Sequence, residues 1–273
     1  MQRLYEIGFP SSEHIPALKS LWATVFKDGE QVIDSFFENT QENINTICAF
    51  CEGKPVSMLF AVESEILCRG ESYSACYVYA VCTHPDHRGK GLMKKTMSFL
   101  ETVARDRGAS YLYLVPAEES LFSLYGTLGY QIAFFYDEIV VNAPQTPAES
   151  IFSFGVDYDF YRSLRLKENE APIVVLGEKG FKSFVSPKPT AEAFAITVEG
   201  KGCAVVELIN GTFTIQELWG DENTLLDCVF NITKADSIFL RNPTNNGGTA
   251  LGMVKSLDGS PVFENGFIGS YGG

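Results

Sequence analysis

The chain has 273 residues, of which 45% are hydrophobic and 20% are charged, a composition typical of a globular protein with one large domain or two smaller ones. Its formal net charge of −13 argues against nucleic acid and anionic membranes as partners and favours cationic small molecules or basic protein segments. Because it contains neither an apolar run of membrane-spanning length nor an apolar signal segment near Met1, we expect a cytoplasmic location.

The cysteine and histidine content gives little support to a metal or disulfide framework. The seven cysteines are odd in number and lie mostly in apolar runs, which indicates reduced core thiols. Cys48 and Cys51 spell C-x-x-C, but strand geometry would point them to opposite faces and no second pair accompanies them. His84 and His87 have no obvious third ligand. We therefore expect no metal.

The N-terminal part predicts a short strand, two helices and a pair of strands. Within residues 5–40, a strand is followed by two segments whose apolar residues recur at helical spacing. Strands are then predicted at 44–51 and 56–67, joined by a Gly-Lys-Pro turn.

The next segment joins a strand to a helix through a glycine-punctuated turn. Residues 77–83 are β-branched and aromatic, which predicts a buried strand. Residues 92–107 predict an amphipathic helix, and the face that we expect to be buried consists of Leu92, Thr96, Leu100, Val103 and Ala104. Glycines in the intervening turn would let backbone N–H groups at the positive end of the helix converge on a polyanion.

Three further elements complete the first half. A strand is predicted at 110–115, where Pro116 should end its pairing with the central strand. An amphipathic helix follows at 118–128, and a closing strand follows at 131–141. The segment Asn-Ala-Pro-Gln-Thr-Pro-Ala-Glu-Ser at 142–150 is typical of a linker.

The segment from Val81 to Leu92 resembles the pyrophosphate-binding motif of the GNAT superfamily of acetyl-CoA-dependent N-acetyltransferases. The family pattern is Gln/Arg-x-x-Gly-x-Gly/Ala, and here Asp86 occupies its first position, which leaves Arg88 as the cationic contact. The resemblance implies that acetyl-CoA is the co-substrate and that its contacts are Val81, Cys82, Thr83, Arg88, Gly89, Lys90, Gly91, Leu92 and Met93.

A second motif, Leu-Tyr-Gly-Thr-Leu-Gly-Tyr at 124–130, is similar to the family's Leu-Tyr-x-x-x-Gly-Phe/Tyr signature. By this resemblance Tyr125 is the catalytic residue that protonates the departing thiolate. The family often has Asn seven residues earlier, but this chain has Glu118, so the pantetheine contact made by that Asn does not transfer.

The resemblance also implies a fold and a reaction. The fold is α/β (α+β), with a mostly antiparallel mixed sheet, a splayed central parallel pair and flanking helices.

In the implied reaction, the backbone N–H near Val81, at the bulge that the family shows, would polarise the thioester carbonyl. A primary amine, whose identity the sequence does not give, would then attack. Residues 73–83 contain no carboxylate, so the general base is Glu63, Glu65 or water. A non-catalytic acyl-CoA sensor or scaffold is the alternative, and a homo-oligomer is compatible with the sequence.

The second half repeats the element order of the first. After a helix at 157–167, strands are predicted at 194–198, 203–208 and 213–218, followed by a helix at 223–232 and a strand at 237–240. The turn before this helix carries Asp221 and Glu222, whose charge would repel pyrophosphate. We therefore predict a GNAT acetyltransferase domain at 1–141, a linker at 142–150 and a degenerate GNAT-like domain without cofactor at 151–273.

Overall fold

A computed structural model of the chain describes residues 4–40, 45–167, 171–186, 188–244 and 247–271. The chain divides into two compact units, neither of which is continuous in sequence. The first unit comprises residues 1–65, 73–131 and 253–262, and the second comprises residues 66–72, 132–252 and 263–273. No helix among the described residues is both long and apolar enough to cross a membrane.

The first unit contains a sheet with helices on both faces. Its strands are β1 (Tyr5–Gly8), β2 (Asn45–Cys51), β3 (Lys54–Cys68), β4 (Glu71–Thr83) and β5 (Tyr111–Leu114), and its helices are α1 (Ile15–Phe26), α2 (Glu30–Thr40), α3 (Leu92–Asp106) and α4 (Glu119–Gly126). The sheet order is β1, β2, β3, β4, β5 and then the strand Thr249–Ser256, which is the last strand of the chain. That strand pairs antiparallel with β5 through Met253–Ser256, so residues far apart in sequence complete the sheet.

The two faces of this sheet bury different kinds of residue. On the face covered by α3 and α4, an aliphatic core joins strand residues such as Leu59, Val78 and Leu112 to Leu100 and Tyr125 of the helices. On the other face, Trp22 of α1 contacts the rings of Phe60 and Tyr79. Alternate strand residues point to opposite faces, which separates the aliphatic and aromatic cores.

The second unit contains a second sheet built in the same order. Its elements are β6 (Gln131–Asn142, from Ile132 onward), β7 (Ser153–Phe154), α5 (Tyr158–Lys167), β8 (Ile173–Leu176), α6 (Glu178–Phe184), β9 (Ala193–Val198), β10 (Gly202–Ile209), β11 (Thr212–Gly220), α7 (Glu222–Thr233) and β12 (Ser237–Asn242); the last strand, Thr249–Ser256, is β13. Strands β9, β10 and β11 form an antiparallel meander, and α7 leads into β12, which pairs parallel with β11. This repeats the order β2, β3, β4, α3, β5 of the first unit.

The fold class expected from the sequence is confirmed: both sheets are mostly antiparallel, the pair β4–β5 in the first and β11–β12 in the second are parallel, and helices flank them. The helix expected at 92–107 ends at Asp106. Its buried face includes Met97, whereas Val103 is only half-buried. Sequence reasoning missed β7, β8, α6 and β13. Residue 44, expected to begin a strand, lies outside the described residues.

Candidate active site

The central feature of the first unit is a parallel strand pair that separates. Strands β4 and β5 pair at Ala75–Tyr111, Cys76–Leu112 and Tyr77–Tyr113. The register of β4 with β5 ends at this last pair, although β4 itself continues to Thr83. The separation expected at Pro116 therefore begins directly after Tyr113. It leaves a slot in which an extended amide chain could hydrogen-bond to β4.

Strand β4 is irregular beside this slot. Ala80 has φ = 48°, in the left-handed region that is uncommon for a residue with a Cβ. The irregularity changes the alternation of side chains, because Val78 and Val81 both pack against the aliphatic core. A bulge of this kind re-aims the backbone N–H groups, which lie at the position where the sequence predicts the contact of Val81 with a thioester carbonyl.

The turn between β4 and α3 keeps its backbone exposed. Gly89 and Gly91 have φ values of +73° and +71°, and no protein atom lies within 4 Å of the position that a Cβ would occupy on either residue. Gly91 is the N-cap of α3 and offers no side-chain cap. The first intrahelical bond runs from Lys95 N to Gly91 O, so the N–H groups of the first turn are free to bind an anion.

The basic residues of this turn are exposed and are held by its own backbone. Arg88 Nε donates to the Thr83 carbonyl at 3.2 Å, and Lys90 Nζ donates to the Asp86 carbonyl at 3.0 Å. Asp86 itself is exposed. The two cations therefore lie at the positive end of α3, where they add to the field that favours a polyanion.

The remaining predicted cofactor contacts differ in whether their side chains or only their backbone atoms can reach a ligand. The side chains of Cys82 and Leu92 are buried, so only their backbone atoms could meet a ligand. The Cys82 carbonyl already accepts from Ser57 Oγ at 2.7 Å, whereas Val81, Thr83 and Met93 are half-buried. Burial raises the pKa of Cys82 to about 12, which keeps its thiol neutral.

Tyr125 lies on α4 within the aliphatic core, on the same face of the sheet as α3. Its ring meets that of Tyr130 edge-on, with 6.0 Å between centroids. Burial raises the pKa of Tyr125 to about 12. The phenol is therefore protonated at neutral pH, as a proton donor must be.

The two carboxylates that the sequence offers as general bases lie on the same face of the sheet as α3. Leu59 and Ala61 of β3 belong to the aliphatic core, so alternation places Glu63 and Glu65 on the α3 face. Glu63 lies close enough to Cys76 to act on it, because burial and the Glu63 charge together raise the pKa of Cys76 to about 11. Cys76 precedes Val81 by five positions, so Glu63 lies toward the beginning of β4. Sequence alternation alone could have identified this placement.

In the equivalent turn of the second unit, a side chain of the turn occupies the N-terminus of the helix. Asp221 is the N-cap of α7, and its Oδ1 accepts from the Thr224 N–H at 3.1 Å while its Oδ2 pairs with Lys201 Nζ at 3.0 Å. The hydrogen bond from the Thr224 backbone and the pairing with Lys201 lower the pKa of Asp221. A carboxylate thus occupies the place where the first unit leaves N–H groups free.

The second unit also contains a buried polar cluster that the sequence did not indicate. Glu217 of β11 pairs with Arg165 of α5, and both side chains are almost completely buried. The Glu217 carboxylate also accepts from the Tyr161 hydroxyl at 2.9 Å, from Trp219 Nε1 at 2.8 Å and from Ser270 N at 2.7 Å. Nothing in the sequence distinguishes this glutamate from an exposed strand residue, because its partners come from positions 52 residues before and 53 residues after it.

Among the described residues, no group of three or more His, Cys, Asp or Glu side chains could hold a metal ion. His87 Nδ1 instead lies 3.1 Å from the Tyr5 hydroxyl. All seven cysteines are free thiols.

Comparison with known proteins finds a family match in the N-terminal half of the chain. Residues 7–133 match the family model of the acetyltransferase (GNAT) domain. A search of curated proteins finds no match.

Solved structures share the fold over nearly the whole chain. A GCN5-related N-acetyltransferase from Kribbella flavida is 16% identical, with a TM-score of 0.71 over 92% of this chain and 71% of that one. A probable N-acyltransferase from Enterococcus faecalis V583 is 14% identical, with a TM-score of 0.71 over 94% and 73%. A GCN5-related N-acetyltransferase from Anabaena variabilis is 13% identical, with a TM-score of 0.72 over 93% and 73%. The second unit is therefore part of the shared architecture.

Proposed function

We propose that the chain, whose residues 7–133 match the family model of the acetyltransferase (GNAT) domain, transfers an acetyl group from acetyl-CoA to a primary amine by direct attack. The observation that carries this proposal is the open turn at Gly89 and Gly91, next to a slot in the sheet. The turn suits a pyrophosphate, and the slot suits the amide-containing pantetheine arm that follows it.

Three groups would hold the cofactor. The first-turn N–H groups of α3 bind the pyrophosphate oxygens, and Arg88 and Lys90 add positive charge. The edge of β4 beyond its last pair with β5, from Val78 to Thr83, would hydrogen-bond to the pantetheine amides. The bulge at Ala80 directs the Val81 N–H to the thioester oxygen, where it stabilises the charge that develops in the transition state.

The transfer forms one C–N bond and breaks one C–S bond. A neutral amine attacks the thioester carbon, the tetrahedral intermediate collapses, and the thiolate leaves with a proton from the Tyr125 hydroxyl. The excess proton of the amine passes to water, since Glu63 and Glu65 lie on the α3 face, and water returns a proton to the Tyr125 phenolate. A thiolate is a good leaving group, with a pKa of about 8.5 for a model thiol, so Tyr125 assists the reaction rather than making it feasible.

The second unit has no cofactor in this proposal. Its helix α7 is capped by Asp221, and Glu217 and its partners fill one face of its central strand. We propose that it supports the first unit and contributes no second transfer site.

The proposal is tested by the melting temperature of the full chain with and without millimolar acetyl-CoA. A ligand that binds only the folded state raises Tm by mass action. Gly89→Val should abolish the increase, because a β-branched side chain in a left-handed conformation distorts the turn. Gly53→Val is the matched control: Gly53 has φ = +76° and equally open space, but it lies in the turn between β2 and β3.

Turnover is measured as release of the coenzyme A thiol over a panel of amines. Thiol release and acetylated amine are expected in equal amounts. Wild-type protein whose Tm does not respond to acetyl-CoA would disprove the binding site. Binding without turnover on any amine would favour an acyl-CoA sensor or scaffold instead.

A further inference from the structure

The face of the first-unit sheet opposite Tyr125 is lined by aromatic rings. Tyr77 stacks on Tyr113 with 5.1 Å between centroids and an interplanar angle of 13°. Tyr79, the next residue of β4 on this face, lies 5.6 Å from Tyr77. Trp22 and Phe36 of α1 and α2 flank Tyr79 at 5.7 Å and 5.4 Å. We call Tyr77, Tyr79, Tyr113, Trp22 and Phe36 the aromatic wall.

The aromatic wall borders the slot where the two parallel strands separate. Tyr77 and Tyr113 are the last paired residues of β4 and β5, so their stacked rings mark the closed end of the slot. Tyr79 follows on the open side and directly precedes the bulge at Ala80. Of the five rings, Tyr79 alone is only half-buried, so a bound molecule can cover it.

The two faces of the sheet beside the slot differ in what already covers them. On the α3 face, Tyr125 belongs to the aliphatic core that α3 and α4 pack onto the sheet. The other face carries the aromatic wall, where Tyr79 is half-buried. The proposed reaction uses Tyr125 at the thioester sulfur on the first face, so we place the acceptor on the second face, with its body next to Tyr79.

Two carboxylates near this face are held by neighbouring side chains. Asp28, between α1 and α2, accepts from Trp22 Nε1 at 2.7 Å, and Asp34 of α2 accepts from Lys19 Nζ at 2.6 Å. The aromatic wall itself consists of rings and carries no carboxylate, so it suits a flat apolar body better than a polycation.

Building on the proposed function, we infer that the acceptor is a primary amine carried on an aromatic ring, and that Tyr79 selects it by ring-to-ring contact. The aromatic body packs on Tyr79, and the amine nitrogen points into the slot beside Ala80. An apolar surface disfavours an ammonium ion, so this wall also promotes the neutral amine that attack requires. The second role matters because Glu63 and Glu65 face the other side of the sheet.

The test is a cycle that removes one ring from the substrate and one from the protein. The substrates are 2-phenylethylamine and 2-cyclohexylethylamine, which are similar in size but differ in aromaticity, and spermidine is the polycationic comparison. Aromatic pairs are worth about 0.5–1.5 kcal/mol beyond their buried area, so wild-type kcat/KM should favour 2-phenylethylamine by about 2- to 12-fold. Tyr79→Leu should reduce this preference to near unity, and Tyr79→Phe should keep it.

Tyr73→Leu is the matched control. Tyr73 is a half-buried tyrosine on the same strand and face, packed on Tyr111, but it lies six positions from Tyr79 and away from the slot. This variant should keep the wild-type preference. The increase in Tm with acetyl-CoA should persist in all three variants.

The inference and the proposed function fail in different ways. If spermidine has the highest kcat/KM, or if Tyr79→Leu keeps the preference for the aromatic amine, the acceptor inference is wrong and acetyl transfer stands. If no amine releases thiol and Tm does not respond to acetyl-CoA, the proposed function is wrong. Should Tyr79→Leu fail to fold, equal kcat/KM for the two matched amines in the wild type would still overturn the inference.

Discussion

The strand–turn–helix segments of the two units have the same order but differ in the residue that caps the N-terminus of the helix. In the first unit Gly91 caps α3 without a side chain, and in the second unit Asp221 caps α7 with its carboxylate. A helix N-terminus attracts an anion in both cases. The same strand–turn–helix order is therefore suited to binding an anionic ligand when the N-terminus of the helix is open. It has a structural role only when the chain supplies the anion from its own side chain.

The central strands, β4 and β11, also differ in whether the region beside them is filled by side chains. Strand β11 also has a bulge after its last parallel pair: Val205 pairs with Glu217 and Val206 with Ile215, which leaves Gln216 as the extra residue. Beyond that bulge, Glu217 is enclosed by Arg165, Tyr161 and Trp219. Beside the bulge of β4, Tyr79 and Val81 remain half-buried. Side chains of the second unit therefore fill the region beside the bulge of β11, whereas the corresponding region of the first unit is accessible.

Glu217→Leu should give the largest effect, a loss of about 3–5 kcal/mol in the free energy of unfolding, because Arg165 is left buried without its carboxylate. Chemical denaturation measures the loss. The double variant Arg165→Met/Glu217→Leu should recover much of it. A single variant as stable as the wild type would mean that the cluster does not hold the second unit together.

Gly91→Asp transfers the cap of the second unit to the first. The carboxylate would occupy the N–H groups of α3 and repel pyrophosphate, so acetyl-CoA binding should weaken by about 100-fold or more, or about 2.7 kcal/mol. Isothermal titration measures the dissociation constant. Gly53→Asp, which carries the same backbone strain elsewhere, should bind normally; equal weakening in both variants would point to strain rather than charge.

Tyr125→Phe removes one oxygen and keeps the packing of α4, so kcat should fall by about 10- to 100-fold, at the lower end of general acid catalysis. The KM for acetyl-CoA should change little, because the proton is donated in the transition state. Since burial raises the pKa of Tyr125 to about 12, deprotonation of this residue should not reduce the wild-type rate below about pH 11. An unchanged kcat in a chemistry-limited reaction would make Tyr125 a packing residue only.

Asp221→Ala should give the smallest effect. Loss of a helix cap is expected to lower Tm by about 2–4 °C, without creating acetyl-CoA binding, since the turn of the second unit lacks counterparts of Arg88 and Lys90. Differential scanning calorimetry of the variant, alone and with acetyl-CoA, measures both. An increase in Tm with acetyl-CoA that exceeds the wild-type response would show that the cap alone had excluded the ligand.

The parts of the fold that local patterns determine were predictable. Helix α3 begins at Leu92 as expected, because apolar spacing and the preceding glycines define its start. The acidic cap at Asp221 was also visible in sequence. Strand β13 was not, since Gly252 interrupts its pattern and its partner β5 lies about 140 residues earlier. The pairing of Arg165 with Glu217 was likewise hidden, because charged residues on a helix and a strand usually face water.

The pairing of β13 with β5 has a consequence for synthesis of the protein. Lys255 Nζ donates to the Leu128 carbonyl at 2.7 Å, and Arg105 Nε donates to the Leu257 carbonyl at 2.9 Å, so residues 253–257 anchor the sheet that carries the turn. Until the ribosome has released these residues, the nascent chain exposes the edge of β5, which is a template for aggregation. A chain that stops before Met253 would therefore lack the strand that completes the sheet of the first unit.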